Sequence, residues 1–143
     1  MMLNSDELDS VRHKFSSSFQ PSGVKHIFSG IVQSVEILQG HSAIALCGIA
    51  KPESFQKSLE SCGVNIKEFF DFSDHHKFTT SEIDAIVRSF HSEKADFIFT
   101  TEKDTVRLAE FANELKQLPM FALLMDVTIH QHDEWKKYLL SQH

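Results

Sequence analysis

The chain has 143 residues, the size of one ordinary domain, and its 41% hydrophobic and 24% charged content excludes a disordered polymer. Twenty acidic against fourteen basic side chains leave a formal charge of −6 with histidine neutral, which argues against a nucleic-acid partner. Only five glycines occur and none lies beyond Gly63, so neither GxxxxGK[ST] nor GxGxxG can be written anywhere in the chain. No apolar run approaches the ~18 residues of a spanning helix, and the start MMLNSDELDS is too acidic for a signal peptide. Cys47 falls in an apolar run and Cys62 on a helical face, a pattern expected of reduced thiols in a cytoplasmic protein.

In chain order, residues 4–13 predict a short helix, and SSSFQPSG (16–23) reads as a loop. Residues 24–38 are rich in β-branched side chains with Gly30 in the middle, which predicts two strands or one bent strand, closed by a turn at Gln39-Gly40-His41-Ser42. A regular alternation follows. AIALC (43–47) suits a strand buried on both faces. Pro52 opens a helix with Phe55, Leu59 and Cys62 on one face and Gly63 at its end. A strand over 64–72 leads to a helix introduced by Thr79 and Glu82, a capping-box pair, with Ile83, Ile86, Val87 and Phe90 inward. The strand ADFIFT (95–100) precedes a second capping pair, Thr101 with Asp104, and a helix burying Leu108, Phe111, Ala112 and Leu115. A strand over 119–129 and a helix over 132–140 complete the chain. Four strand–helix units with short connections predict an α/β, Rossmann-like three-layer sandwich. Its sheet is mostly parallel, with the 24–38 segment as an added N-terminal strand or hairpin. The expected division is a helix and loop over 1–23 and the α/β domain over 24–143.

Open parallel sheets bind ligands at the carboxyl ends of their strands. That rule selects the loops Gly48–Pro52, Ser73–Lys77 and Thr100–Asp104, and the stretch after Asp126. Asp74-His75-His76 is the densest polar cluster: an aspartate can orient an imidazole as general base, the trio can supply metal ligands, or the loop can simply be a solvated cap. A manganese phosphoesterase would need further Asp/His motifs upstream, and residues 1–70 offer none in DxD or HxxxD spacing. Lys103 at a helix start can meet an anion, or Thr101-Glu102-Lys103-Asp104 can be a cap with a surface ion pair. Lys51 before Pro52 has the same two readings, anion contact or solvated side chain. His130-x-His132 would ligate a metal only if both lay on a strand. His13, His26, His41, His91 and His143 are scattered and expected at the surface.

Three motifs in order carry a resemblance: Gly48-Ile49-Ala50-Lys51-Pro52-Glu53-Ser54-Phe55, then Phe72-Ser73-Asp74-His75-His76-Lys77-Phe78-Thr79, then Phe99-Thr100-Thr101-Glu102-Lys103-Asp104-Thr105-Val106-Arg107-Leu108. Together, over residues 20–143, they resemble the C-terminal domain of the tetraacyldisaccharide 4'-kinase family, which phosphorylates a lipid A disaccharide precursor with ATP and Mg2+. The resemblance implies an N-terminal P-loop domain as partner. That domain would hold the phosphate loop, the magnesium ligands, the membrane contact and a general-base aspartate, so this chain alone is expected to bind no cofactor or metal and to be inactive. It further implies that His75, beside Asp74, pairs with that aspartate as the catalytic histidine. His76, Lys51, Thr101, Glu102, Lys103 and Asp104 would line the cleft or support it. Ser73 stands where the family usually has proline. The full-length family works at the cytoplasmic face of the inner membrane. Two alternatives remain open at this point: a non-catalytic binding module or remnant, and a stand-alone small-molecule or metal-binding Rossmann-like protein.

Overall fold

Strand β3 (Ser42–Cys47) shows why the chain must build layers on both sides of a sheet. Ala43, Ile44, Ala45, Leu46 and Cys47 are all fully buried, so the odd and the even side chains each need a cover. The computed structural model describes residues 17–129, with side chains from 20 to 126. The helices expected over 4–13 and 132–140, and His130 and His132, lie outside those residues. Chain contacts group into two units, one over Pro21–Met125 and one over Met1–Gln20 with Asp126–His143. The unit over Pro21–Met125 contains all the described helices and the strand-end loops at 48–52, 73–77 and 100–104.

Around β3 the elements in order are β1 (Ser17–His26), β2 (Val32–Gln33), a 3-10 turn (Val35–Leu38), α1 (Pro52–Ser61), β4 (Asn65–Asp71), α2 (Thr80–Ser92), β5 (Phe97–Thr101), α3 (Glu102–Leu108), a second 3-10 turn (Ala109–Phe111), α4 (Ala112–Leu115) and β6 (Met120–Ile129). They form one sheet in the order β2-β1-β6-β5-β3-β4. The pairs β3/β4, β3/β5 and β5/β6 are parallel, while β1/β2 is antiparallel. The Ser22 hydroxyl donates to the Leu124 carbonyl and the Ile27 N–H to the Met120 carbonyl, so β1 also runs against β6. The expected mostly parallel α/β sandwich with an added N-terminal hairpin is therefore present.

The two faces are covered differently. Phe55 and Leu59 of α1 pack with Ala43, Ala45, Cys47, Phe99, Phe121 and Leu123 on one side. Ile83 and Ile86 of α2, with Leu108, Phe111 and Leu115, pack with Ile44, Leu46, Ile98 and Met120 on the other. The chain leaves β3 toward β4 on the first face, then crosses back past β3 to β5 on the second. The point where the order reverses lies between β3 and β5, the crevice position of open α/β sheets.

Three expectations need correction. The loop expected over 16–23 is not present from residue 17 onward: the strand begins at Ser17. Pairing with β6 outweighs the Ser/Pro composition. Pro21 is tolerated because β2 pairs only with Val24 and Lys25, leaving one side of the strand free there. Residues 35–38 are not strand either; the Ser34 hydroxyl accepts the Glu36 N–H at 3.2 Å and starts a 3-10 turn that buries Leu38. Finally, His26 is not a surface residue. It is half-buried, hydrogen-bonded at 3.2 Å to the Leu118 carbonyl, with its ring edge-on to Phe121.

Candidate functional site

Gly48 follows β3 directly, and three loops converge on it. The Asp104 carboxylate accepts the Gly48 N–H at 3.1 and 3.2 Å and the Thr101 hydroxyl at 2.6 Å. Arg107 donates to the same carboxylate, to the Gly48 carbonyl at 3.0 Å and to the His76 carbonyl at 3.0 Å. Asp104 is fully buried, and the Gly48 N–H, the Thr101 hydroxyl and the Arg107 guanidinium together satisfy its carboxylate. A Cβ on Gly48 would lie 3.0 Å from the Ser73 carbonyl oxygen and 3.4 Å from Asp104 Oδ1. Glycine is therefore required by close approach, not by dihedral angle. Thr101 does cap α3, accepting the Asp104 N–H at 3.2 Å, and the Asp104 side chain both takes the Thr101 hydroxyl and reaches across to Gly48.

The loop after β4 turns sharply. The His76 N–H donates to the Ser73 carbonyl at 3.0 Å, enclosing Asp74 and His75 in a β-turn. His75 occupies the left-handed position of that turn, φ 62°, which ordinarily falls to glycine or asparagine. Its N–H donates to the Gly48 carbonyl at 3.1 Å, and its imidazole is 84% exposed. Asp74 comes within 3.6 Å of His75 Nε2, outside hydrogen-bond range, so the aspartate does not fix the ring. His76 points the other way. Its Nε2 lies 2.8 Å from Glu82 Oε1 and its ring stacks on Phe72 at 4.7 Å, with Phe78 edge-on at 5.4 Å. That hydrogen bond, and then the N–H of Thr79, hold the Glu82 carboxyl below its ordinary range. Glu82 also completes the expected capping box with Thr79. Adjacent histidines thus face opposite environments, one solvent and one the α2 cap.

The remaining candidates are spread along the edge. Lys51 and Lys103 are exposed, with no ion pair found for either among the described residues. Exposed Glu102 lines a groove of ~160 Å³ with Lys25, Ile27, Thr105, Val106 and Ala122, well below the ~300–1,000 Å³ of ligand pockets. Among the described residues no three of His, Cys, Asp and Glu cluster closely enough to hold a metal ion. Cys47 is no nucleophile: burial, with Asp104 and Asp71 nearby, pushes its thiol up to about 12. The sequence motifs singled out neither Arg107 nor Gly48 as functional, although both tie the loops together. Their role depends on contacts across 59 and 31 positions, which spacing alone does not reveal.

At the crevice between β3 and β5 the Gly48 N–H is taken up by the buried Asp104 carboxylate.

Residues 4–143 match the family model described as tetraacyldisaccharide-1-P 4'-kinase. The chain belongs to this family. A tetraacyldisaccharide 4'-kinase from Syntrophus aciditrophicus is 32% identical over 127 residues, covering 89% of this chain and 33% of that protein. The Desulfotalea psychrophila and Anaeromyxobacter dehalogenans (strain 2CP-C) kinases are each 40% identical, over 85 and 75 residues, or 24% and 20% of their own lengths. A crystal structure of LpxK from Aquifex aeolicus in complex with ATP superposes with TM-score 0.54 at 23% identity, over 87% of this chain and 35% of that one. That likeness shows a shared fold. The chain spans a third or less of the length of these kinases.

Proposed function

We propose that the chain forms the C-terminal part of a lipid A 4'-kinase and supplies one wall of its active-site cleft, with His75 as the catalytic histidine. The observation that carries this reading is the backbone at His75: a bulky, exposed imidazole held in a left-handed turn at the carboxyl edge of the sheet. Such conformations cost free energy and persist where the surroundings over-determine them, characteristically at functional sites. Among the described residues only Asp74 approaches that imidazole, at 3.6 Å.

An N-terminal P-loop part would bring the nucleotide, Mg2+ and a general-base aspartate. His75 would hydrogen-bond that carboxylate, keep it oriented and ionised, and share the proton taken from the sugar hydroxyl. Asp74 would sit beside the imidazole, and Lys51, His76, Thr101, Glu102, Lys103 and Asp104 would line or support the cleft. The acceptor would be the disaccharide lipid A precursor. The membrane contact at the cytoplasmic face would come from the rest of the enzyme.

The test is a chimera in which this chain replaces the matching third of the Syntrophus aciditrophicus kinase. It should transfer phosphate from ATP to tetraacyldisaccharide 1-phosphate, and His75→Ala should lower kcat about 100-fold. Unchanged turnover in that variant would remove the catalytic assignment.

A further inference from the structure

We propose that Arg107 is a positioning residue for His75, fixing the turn that presents the imidazole; its effect on turnover rests on the kinase reading, its effect on the turn does not. The guanidinium of Arg107 sits at the end of α3, 22% exposed, with Phe78 5.9 Å beneath it. It makes three kinds of contact at once. Nη1 donates to the His76 carbonyl and Nη2 to the Gly48 carbonyl, each at 3.0 Å, while Nη2 also meets Asp104. The Gly48 carbonyl is the same acceptor that takes the His75 N–H. One side chain therefore grips the strand end on which His75 hangs and the peptide that follows His75.

An arginine serving only to neutralise Asp104 would need neither carbonyl bond. Both of those bonds go to the loops flanking His75, across 31 and 59 positions of sequence. The planar, five-donor fork suits this arrangement, and a lysine, with a single compact ammonium, cannot span two carbonyls and a carboxylate. A left-handed histidine is unfavourable left to itself. Holding Gly48 and His76 at fixed separation makes that conformation the one that fits.

The experiment uses Arg107→Lys, which keeps the charge beside Asp104, together with Arg107→Gln. In this chain, hydrogen exchange at the His75 amide should speed up about tenfold, while amides of β3 and β5 stay protected. In the chimeric kinase, both variants should lower kcat roughly 30-fold with KM little changed, and neither should add to the loss caused by His75→Ala. Unaltered exchange at His75 in Arg107→Lys would overturn the proposal. So would losses that multiply in the double variant, because Arg107 would then act independently of His75. If His75→Ala itself leaves turnover unchanged, the kinase reading fails, and the exchange measurement still decides whether Arg107 sets the turn.

Discussion

Strand β3 is tied at each end by a carboxylate from the flanks of its neighbour β5, and the two ties are unlike. At the amino end Asp96 accepts the Ser42 N–H at 3.1 Å and faces His41 Nδ1 at 3.0 Å, both side chains about half exposed. At the carboxyl end Asp104 accepts the Gly48 N–H with its carboxylate fully buried and closed off by Thr101 and Arg107. The first is a solvated clasp that registers one strand on another. The second is sealed and goes further, through Arg107 to the loop that carries His75. Fold and site therefore share one end of the sheet, while the other end is only fold.

Substitutions should separate the two ends. Asp104→Ala is expected to have the largest effect, roughly 2–4 kcal/mol of stability, since it strands Arg107 and the Gly48 N–H; chemical denaturation would measure it. Gly48→Ala should follow at about 1–2 kcal/mol, by pushing Ser73 away and loosening the His75 turn. The His76–Glu82 contact makes a pH-dependent contribution. Glu82 titrates below its ordinary value in the folded state, so its contribution is full above the unfolded value near 4.5 and is lost as pH falls through the lower folded value. Thermal midpoints of the wild-type chain and Glu82→Gln should therefore converge in acid and differ at neutral pH. The smallest effect belongs to Asp96→Asn, whose midpoint should fall only slightly, because His41 and Asp96 are each about half exposed and solvent screens their attraction. A large loss from Asp96→Asn, or none from Asp104→Ala, would erase the distinction between the ends.

Most of the sheet was legible because its strands are short apolar runs and its helices carry local signals. Ala43–Cys47 is the doubly buried strand that its apolar run suited, and the Thr79/Glu82 capping box stands as its spacing implied. The loop expected at the start of β1 failed because distant pairing overrode local composition. Ser17–Pro21 is strand because β6 lies beside it, and nothing within that segment announces the fact. The candidate site was read as a set of strand-end loops, and the order of its motifs pointed to the family. Its internal division was hidden. Sequence makes His75 and His76 neighbours, whereas the turn sends one to solvent and one under the α2 cap. Arg107 drew no reading of its own from sequence, since its partners are loop carbonyls that only the folded sheet brings within reach.

That division supplies the most direct test. In the chimeric kinase, turnover per folded molecule should be compared between His75→Ala and His76→Ala, with thermal midpoints taken alongside. His75→Ala should retain the wild-type midpoint and lose about 100-fold in kcat, whereas His76→Ala should lower the midpoint and keep most of its turnover. Equal losses of turnover in the two variants, or full activity in His75→Ala, would contradict the assignment of the exposed histidine to catalysis.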